Sequence, residues 1–554
     1  MTKSRVVVLT GLFLVGAMLT LFLTLFMAKS SGTTIYKPKA AAAETESAAD
    51  TPGLGPASAA AWESAIRTYP ANAIPPAVVA RAQATFARIA KRDARLQAHG
   101  RTFLWNNGPP WHQYGPRELA IQPGVTSFSG ATNATASRIT ALVVSPDCGK
   151  KGGRGWRDHG GSRDEGGRCT VWATPAGGGV WRTDDALAAN PDWRRLTDDQ
   201  LDQHSTGALY LDPTDPKHRT LYLGTGEGNH CSSGCESGVG VYRSTNAGNT
   251  WTKLGDTCVD NATYTCVNHG DAFLGRAINS IAVDPTNSNH IFVGSAQAVR
   301  GLMHVVGSGG QTRLEPGANA PGLYESTNGG ATFTEVWNGG AANFGVTKIK
   351  LDPLDPTTVY ASAYEAGLWR RSPALDGSAS PTDFHQVFAP QFGVPDRTSF
   401  DLTVKNGKTR IYLTDGTANA NGIAGATAAN FWRTDNGNQP AAALLASQAA
   451  GATPPPDTTT FPTTYNGWQK LTSKTTASPY FATDDFCTGQ CWYDEDVYTP
   501  AGLPDTVYVI GSNLYGEQPC DTKGVGCGNG RSNGRAVLYS TTAGDPDGQN
   551  NSRT

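Results

Sequence analysis

Short stretches in which apolar and polar residues alternate recur along most of the chain and predict β-strands. Residues 347–352 (Thr-Lys-Ile-Lys-Leu-Asp) show this alternation, which gives a strand one apolar and one polar face. Three parts return in a fixed order: a strand ending in Asp-Pro or a relative, a second strand with Tyr, Val or Phe, and an aromatic residue followed by Ser-Thr-Asx and glycine. The repetition predicts a series of similar small antiparallel sheets.

Two copies of this repeat are complete. Their parts are residues 208–213, 220–225 and 241–251 in one copy, and residues 278–285, 290–294 and 323–333 in the other. With degenerate copies there are six units, which start near residues 139, 206, 278, 346, 399 and 493. Because such a sheet exposes apolar groups on both faces, the units must stack around an axis. We therefore predict an all-β fold, a β-propeller of about six or seven four-stranded blades.

The Ser-Thr-Asx-x-Gly-x-Thr-aromatic part of each complete copy predicts a tight hairpin between outer strands. The Asx side chain can hydrogen-bond nearby backbone amides, and the glycine can adopt a positive φ. The aromatic residue would be buried against the blade. We interpret these residues as structural: Ser244, Asn246, Gly248 and Trp251 in one copy, and Ser326, Asn328, Gly330 and Phe333 in the other.

The N-terminal region has a different pattern from the repeats. An almost uninterrupted apolar run at residues 6–28 follows two basic residues and is long enough to cross a bilayer. We expect residues 1–29 to be a retained signal anchor or a cleaved signal peptide, residues 30–61 a flexible linker, residues 62–104 a helical segment with one amphipathic helix, and residues 105–554 the propeller. The body is then extracytoplasmic, either membrane-anchored or secreted.

Two stretches interrupt the repeats. Residues 439–462 contain an alanine run and three consecutive prolines, so we interpret them as an insertion between strands. The last unit ends before a closing aromatic residue or a fourth strand. We expect it to be either truncated or completed by an N-terminal strand around residues 119–125.

The composition narrows the possible functions. The 554 residues include 65 Gly, 13 Trp and only 17% charged residues, which fits many short strands and tight turns. The 45 basic and 47 acidic residues are interspersed, so nucleic-acid binding is not expected. The sequence has no nucleotide-binding loop, Gly-x-Ser-x-Gly elbow or His-Glu-x-x-His motif, and neither a cofactor nor a metal ion is predicted.

The ten cysteines form pairs that are local in sequence, which is typical of disulfides in an exported protein. The candidate pairs are Cys148 and Cys169, Cys231 and Cys235, Cys258 and Cys266, Cys487 and Cys491, and Cys520 and Cys527, although the sequence does not fix their connectivity. The second and fourth pairs have a spacing that zinc could also use, but an oxidising compartment favours the disulfide.

These residues resemble those of the BNR or Asp-box repeat β-propellers, which include sortilin-like, sialidase-like and xyloglucanase-like proteins of the exported bacterial type. The resemblance extends from about Trp105 onward. It rests on the two complete turns, on partial ones at residues 181–185, 432–437 and 539–544, and on the segments 111–116 and 224–229. It implies a fold without fixing an activity, because the repeat occurs in sialidases, endoglucanases, sorting receptors and assembly factors alike.

The chain departs from the enzymes among these relatives. The Arg-Ile-Pro-type segment that the sialidases carry near the first blade is missing. Xyloglucanase-like enzymes have Thr-Asp ahead of paired glycines in the first blade, where this chain has Thr174-Pro175-Ala176. The expected carboxylate is therefore absent at that position, which argues against that chemistry.

A ligand site is expected at the mouth of the central channel, where blade-connecting loops converge. The candidate catalytic carboxylates are Glu227, Asp271, Asp494 and Asp496, and the candidate binding side chains are His230, His269, Tyr493 and Trp369. On one strand, Asp494 and Asp496 would point the same way and could share a cation or one raised pKa. The alternative for each residue is a structural role in a turn or the protein core.

The sequence favours an extracytoplasmic binding module whose partner is a glycan or a protein. The alternative is a glycoside hydrolase, which would need two carboxylates about 5 to 9.5 Å apart at one channel mouth. A structural scaffold is a third interpretation and would show a broad apolar surface patch.

Overall fold

The computed structural model describes part of a helix within residues 80–88 and most of the chain from residue 139 onward. The described ranges are 139–149, 169–188, 191–197, 199–228, 236–298, 317–392, 396–417, 429–455, 463–473, 478–483, 486–487, 491–511 and 537–546. They form a six-bladed, all-β propeller with few helices. Consecutive blades pack side by side through their innermost strands.

Blades 1 to 3 occupy residues 139–337. Blade 1 consists of β1 (Ile139–Val144), β2 (Val171–Pro175), β3 (Trp181–Thr183) and β4 (Arg194–Arg195). Blade 2 consists of β5 (Thr206–Leu211), β6 (Leu221–Thr225), β7 (Val241–Ser244) and β8 (Thr252–Lys253). Blade 3 consists of β10 (Ala277–Asp284), β11 (Asn287–Ala296), β12 (Leu323–Ser326) and β13 (Thr332–Trp337), with β9 (Thr257–Cys258) pairing in parallel at its outer edge.

Blades 4 to 6 follow in the same order. Blade 4 consists of β14 (Val346–Leu351), β15 (Val359–Ala363), β16 (Gly367–Arg371) and β17 (His385–Phe388). Blade 5 consists of β18 (Asp396–Lys405), β19 (Lys408–Thr417), β20 (Ala429–Thr434) and β21 (Gln469–Lys470), and blade 6 of β22 (Asp496–Tyr498), β23 (Val507–Ile510) and β24 (Val537–Ser540). The helices are α1 (Pro373–Asp376), α2 (Ala441–Ala450) and α3 (Cys491–Asp494), with a 3₁₀ helix at Pro479–Thr483.

The alanine run in the stretch interpreted as an insertion forms α2, between β20 and β21. Alanine and leucine have the highest helix propensities, but a helix of ten residues also needs packing against the rest of the protein. Leu444 anchors the helix in the apolar cluster between blades 4 and 5. The stretch thus has structure of its own between two strands of one blade.

The apolar core is divided into clusters, each shared by two neighbouring blades. Between blades 4 and 5, for example, Tyr360 and Phe388 pack with Phe400, Trp432 and Trp468. The rings of Phe388 and Trp432 lie edge to face with centroids 5.4 Å apart. Apolar side chains of one blade are therefore covered by the next blade, as the stacking argument from the sequence requires.

A position near the start of the inner strands joins neighbouring blades through hydrogen bonds. Thr140 Oγ1 donates to the carbonyl oxygen of Thr206 at 2.8 Å, and Thr347 Oγ1 donates to the next inner strand at 3.1 Å. In blade 2 this position is Gly207, where a Cβ would lie 2.2 Å from the carbonyl oxygen of Ile278. Glycine is required there because the backbone of blade 3 occupies the space.

The two predicted hairpin turns have the same geometry. In blade 3, Ser326 Oγ accepts from the amide of Gly330 at 2.9 Å, and Asn328 Oδ1 accepts from the amide of Thr332 at 3.0 Å. Gly330 has a φ of 86°, and Phe333 is fully buried. These side chains replace strand hydrogen bonds at the corner and fix the bend.

The turn of blade 2 repeats these bonds residue by residue. Ser244 Oγ accepts from the amide of Gly248 at 2.9 Å, Asn246 Oδ1 accepts from the amide of Thr250 at 2.8 Å, and Trp251 is buried. The equivalence of the two turns was predicted from the sequence alone.

Two of the predicted cysteine pairs are disulfides, Cys148–Cys169 and Cys258–Cys266. The prediction for Cys487 and Cys491 is wrong, because both remain buried thiols. Cys491 begins α3 and directs its Sγ at the carbonyl oxygen of Cys487, so the two sulfur atoms do not join.

The remaining four cysteines lie outside the described residues. The disulfides proposed for Cys231 with Cys235 and for Cys520 with Cys527 stay predictions from the sequence.

The predicted anchor and linker, residues 1–61, also lie outside the described residues. In the part of the chain that the structure does describe, no helix has the length and apolar character needed to span a membrane. Within the partly described helix near residue 83, Gln83 Nε2 donates to the carbonyl oxygen of Leu201, so this helix touches the propeller.

Candidate functional site

Polar side chains from non-adjacent blades meet on the axial side of the inner strands. Lys348 on β14 lies 2.6 Å (Nζ to Oδ1) from Asp496 on β22, and Ser399 on β18 donates from Oγ to the same oxygen at 2.6 Å. Blades 4 and 6 are separated by blade 5, so this ion pair passes along the central channel in front of β18. Inner strands of three blades thus contribute to one point in the channel.

A second group lies two residues further along the same strands. Lys350 Nζ lies 3.1 Å from Asp401 Oδ1, and Asp401 Oδ2 accepts from the amide of Thr499 at 2.9 Å. Tyr210 on β5 of blade 2 is close enough to interact electrostatically with Lys350. Residues two apart on a strand share a face, so both groups line the channel. We call Tyr210, Lys348, Lys350, Ser399, Asp401 and Asp496 the channel cluster.

The charges of the channel cluster are set by these contacts. Burial alone would raise the pKa of the Asp496 carboxyl, but the charge and hydrogen bond of Lys348, with the Ser399 hydroxyl, outweigh it and lower the pKa. The Asp401 carboxylate raises the pKa of Lys350 against the effect of burial. Burial raises the pKa of Tyr210. At neutral pH the Asp496 carboxyl is therefore ionised, Lys350 is charged and Tyr210 keeps its phenolic proton.

Part of the cluster is open to water, whereas Ser399 and Asp401 are buried. The side chains of Asp496 and Lys350 are 46% and 40% exposed, respectively. A channel explains why the charged groups are surrounded by protein and still exposed, since the wall places them close together while water fills the lumen. The surface offers donors and acceptors in alternation, with no large net charge. Such a surface suits a ligand that carries many hydroxyl or amide groups.

The structure corrects the interpretation of Asp494 and Asp496 as two acids on one strand. Asp494 ends α3, whereas Asp496 begins β22. Asp496 also has a lowered rather than a raised pKa, because Lys348 neutralises it. The two acids therefore do not form the shared site that the spacing suggested.

The other predicted site residues lie apart from the channel cluster. Glu227 follows β6 and pairs through its backbone with Glu236. Asp271 is 2.6 Å from Lys253 Nζ and caps a turn by accepting from two backbone amides. Trp369 Nε1 donates to the backbone carbonyl oxygen of Ala366 at 2.8 Å. His230 and the side chain of Tyr493 lie outside the described residues.

His269 is exposed, and its Nδ1 lies 3.7 Å from Asp260 Oδ1. Together with Cys266 these residues place three potential ligand atoms within 4.8 Å of one another. Cys266 is bonded to Cys258 in a disulfide, however, and so offers no thiolate. The group does not have the donor set of a metal site.

Three buried acids near the start of β18 were not selected from the sequence. Burial, followed by the charge of the neighbouring Asp415, raises the pKa of Asp396. Glu495 is 1% exposed, and among the described residues its two carboxylate oxygens find no hydrogen-bond partner. Burial raises its pKa as well. These acids are shielded from solvent and are therefore not placed to contact a ligand in the channel.

Comparison with known proteins identifies no family. No protein-family model and no curated protein matches the sequence. Among solved structures, an ancestral GH74 enzyme is similar to this chain with a TM-score of 0.34 and 16% identity, covering 54% of this chain and 30% of that one. A structure from a study of two prolyl endopeptidases has a TM-score of 0.27 and 9% identity, covering 62% of this chain and 38% of that one. The chain spans less than two fifths of either structure, and likeness at this level assigns no activity.

Proposed function

We propose that the chain is an extracytoplasmic Asp-box β-propeller that binds a glycan in its central channel. The observation that carries the proposal is the Lys348–Asp496 ion pair, which spans two non-adjacent blades in a water-accessible channel. Ion pairs of this kind hold donors and acceptors in fixed positions for a hydroxyl-rich ligand.

The assignment to the Asp-box propellers is supported by the matching turns of blades 2 and 3. A third turn, in blade 6, has the same serine contact, with the amide of Gly544 donating to Ser540 Oγ at 2.9 Å. The extracytoplasmic location is supported by the two disulfides, since such bonds persist in oxidising compartments. Membrane attachment through residues 1–29 belongs to the same proposal.

A glycoside hydrolase is the alternative function. Catalysis would need one carboxyl with a raised pKa and one ionised carboxylate, both reaching the same bond. Asp496 is ionised and the neighbouring Glu495 has a raised pKa, which favours this alternative. Glu495 is 1% exposed, however, and so is not placed to protonate a leaving group. Binding therefore fits the geometry better than hydrolysis.

The test is a glycan array with the detergent-solubilised full chain, run beside a hydrolysis screen on the same glycans. We expect binding without turnover, and a loss of at least about tenfold in affinity in Lys348→Met, because a charge-assisted contact is removed. Lys217→Ala, an exposed lysine in a hairpin of blade 2, is the matched control.

Three results would contradict the binding proposal. The first is turnover that Asp496→Asn abolishes, which would support the hydrolase. The second is binding of a protein partner with no glycan retained. The third is glycan binding that Lys348→Met and Lys217→Ala leave equally unchanged.

A further inference from the structure

A cavity of about 170 Å³ lies at the tip of the hairpin that joins β18 to β19. This is the end of blade 5 opposite to the one where β18 begins. Its lining includes three basic side chains, two amides and a hydroxyl: Lys405, Lys408, Arg410, Asn406, Asn466 and Thr464. The cavity is smaller than the roughly 300 Å³ at which pockets for drug-sized ligands begin, so it fits one small group. It is separate from the channel cluster.

The floor of the cavity is fixed by ion pairs. Arg410 Nη1 lies 2.7 Å from Asp505 Oδ1, and Lys405 Nζ lies 2.6 Å from Asp505 Oδ2. Arg410 Nε also contacts Asp435, a carboxylate that belongs to the lining and is shared with Arg433. Lys405 and Arg410 are thus held in place before any ligand arrives, which lowers the entropic cost of ordering this part of the site on binding.

The rim of the cavity carries polar groups that the protein does not use. Among the described residues, the side chains of Asn406, Lys408, Thr464 and Asn466 make no hydrogen bond or ion pair with the rest of the chain. All four are exposed. The Lys408 ammonium adds a positive charge that no carboxylate in the described part of the chain balances. A ligand that accepts hydrogen bonds and carries a negative charge complements this rim.

We infer that this cavity binds a small oxyanion group, the sulfate ester or the carboxylate of an acidic saccharide. Sulfate and carboxylate share the chemistry that the rim offers, since both present several acceptor oxygens around one negative charge. Lys408 would supply the charge, because Arg410 is already paired with Asp435 and Asp505, while Asn406, Thr464 and Asn466 would supply neutral hydrogen bonds. The site would be a second binding position on the propeller, independent of the channel.

The test is isothermal titration of the full chain with sodium sulfate, glucuronic acid and glucose at constant ionic strength. We expect sulfate or glucuronic acid to bind and glucose not to bind. The stronger of the two anions identifies the source, a sulfate ester or a uronic acid. Lys408→Ala should weaken binding by at least about tenfold, because the rim loses its unpaired charge.

Lys217→Ala is the matched control, since Lys217 is an exposed lysine at the corresponding hairpin of blade 2. Asn466→Asp is a second variant, in which a new carboxylate in the rim should repel the anion. Both rim residues are exposed, so circular dichroism should show an unchanged fold. The inference is overturned if neither anion binds, if glucose binds equally well, or if Lys408→Ala and Lys217→Ala have the same affinity.

Discussion

Arg433 on β20 donates a hydrogen bond from Nη1 to the carbonyl oxygen of Ala543, which lies in the turn after β24 of the next blade. The same relationship occurs between blades 1 and 2, where Arg182 Nη1 donates to the carbonyl oxygen of Ala247 at 3.3 Å. Arg370 of blade 4 makes the equivalent bond to the turn of blade 5. Each arginine therefore fixes the hairpin corner of the following blade, in addition to the apolar cluster between the two blades.

Arg433→Met should destabilise the protein strongly. The guanidinium also pairs with Asp545, and both side chains are fully buried, with Nη2 and Oδ2 3.0 Å apart. Removing the arginine leaves a buried carboxylate without its counter-charge, which costs about 3–5 kcal/mol. Urea unfolding should show this loss, and the double variant of Arg433→Met with Asp545→Asn should recover part of it.

The control for this change is Arg194→Met in blade 1. Arg194 pairs with Asp184 at 2.6 Å, but both side chains are substantially exposed. Exposed ion pairs contribute no more than about 1 kcal/mol. Equal losses in the two variants would show that the buried arginine has no special role at the blade junction.

Ser326→Ala should loosen the hairpin of blade 3. The amide of Gly330 would lose its acceptor in a buried position, at a cost of about 1–3 kcal/mol. Thermal unfolding measures the change. Ser288→Ala in β11 is the control, because within the described chain the Ser288 hydroxyl makes no hydrogen bond. Unchanged stability of Ser326→Ala would contradict a structural role for this turn.

Gly207→Ala should destabilise the junction between blades 2 and 3. The new methyl group would lie 2.2 Å from the carbonyl oxygen of Ile278, so backbone must shift. Overpacking of this kind costs about 1–3 kcal/mol, occasionally more. Gly177→Ala is the control, since no atom of the described residues lies within 4 Å of a Cβ there. Equal denaturation midpoints for the two variants would show that Gly207 does not lie against the backbone of Ile278.

Glu495→Gln should reduce the pH dependence of stability. Burial raises the pKa of Glu495 in the folded protein, so the folded state keeps a proton that the unfolded state releases above about pH 4.3. The free energy of unfolding of the wild type should therefore fall as pH rises from about 5 to about 8, and that of Glu495→Gln should fall less. Urea titrations at both pH values test this, with the exposed Asp199→Asn as control. If the free energy of unfolding of Glu495→Gln fell with pH as steeply as that of the wild type, a raised pKa of Glu495 would be excluded.

The sequence predicted the propeller because its signals are local. The alternation in residues 347–352 indicated a strand with two faces, and Ser326, Asn328 and Gly330 indicated a corner whose bonds span only a few residues. An all-β propeller with six blades is confirmed. The spacing of apolar residues along the strands also indicated that each blade needs neighbours, because the apolar faces of a single blade would be exposed.

The channel cluster could not be predicted in the same way. Lys348 and Lys350 lie on the polar face of their strand, but the sequence does not distinguish a face toward solvent from a face toward a channel. That distinction depends on residues 148 positions away, where Asp496 completes the pair. Asp494 does not share a strand with Asp496, because it ends the short helix α3 whereas Asp496 begins β22.

The division of the apolar core among blade junctions affects how local opening spreads. A structure in which each unit is stabilised mainly by its two neighbours opens progressively from one unit to the next. The ion pair between Lys348 and Asp496 joins two blades that share no junction. Opening of the last blade therefore removes a contact from the fourth blade together with the contacts that it shares with the fifth.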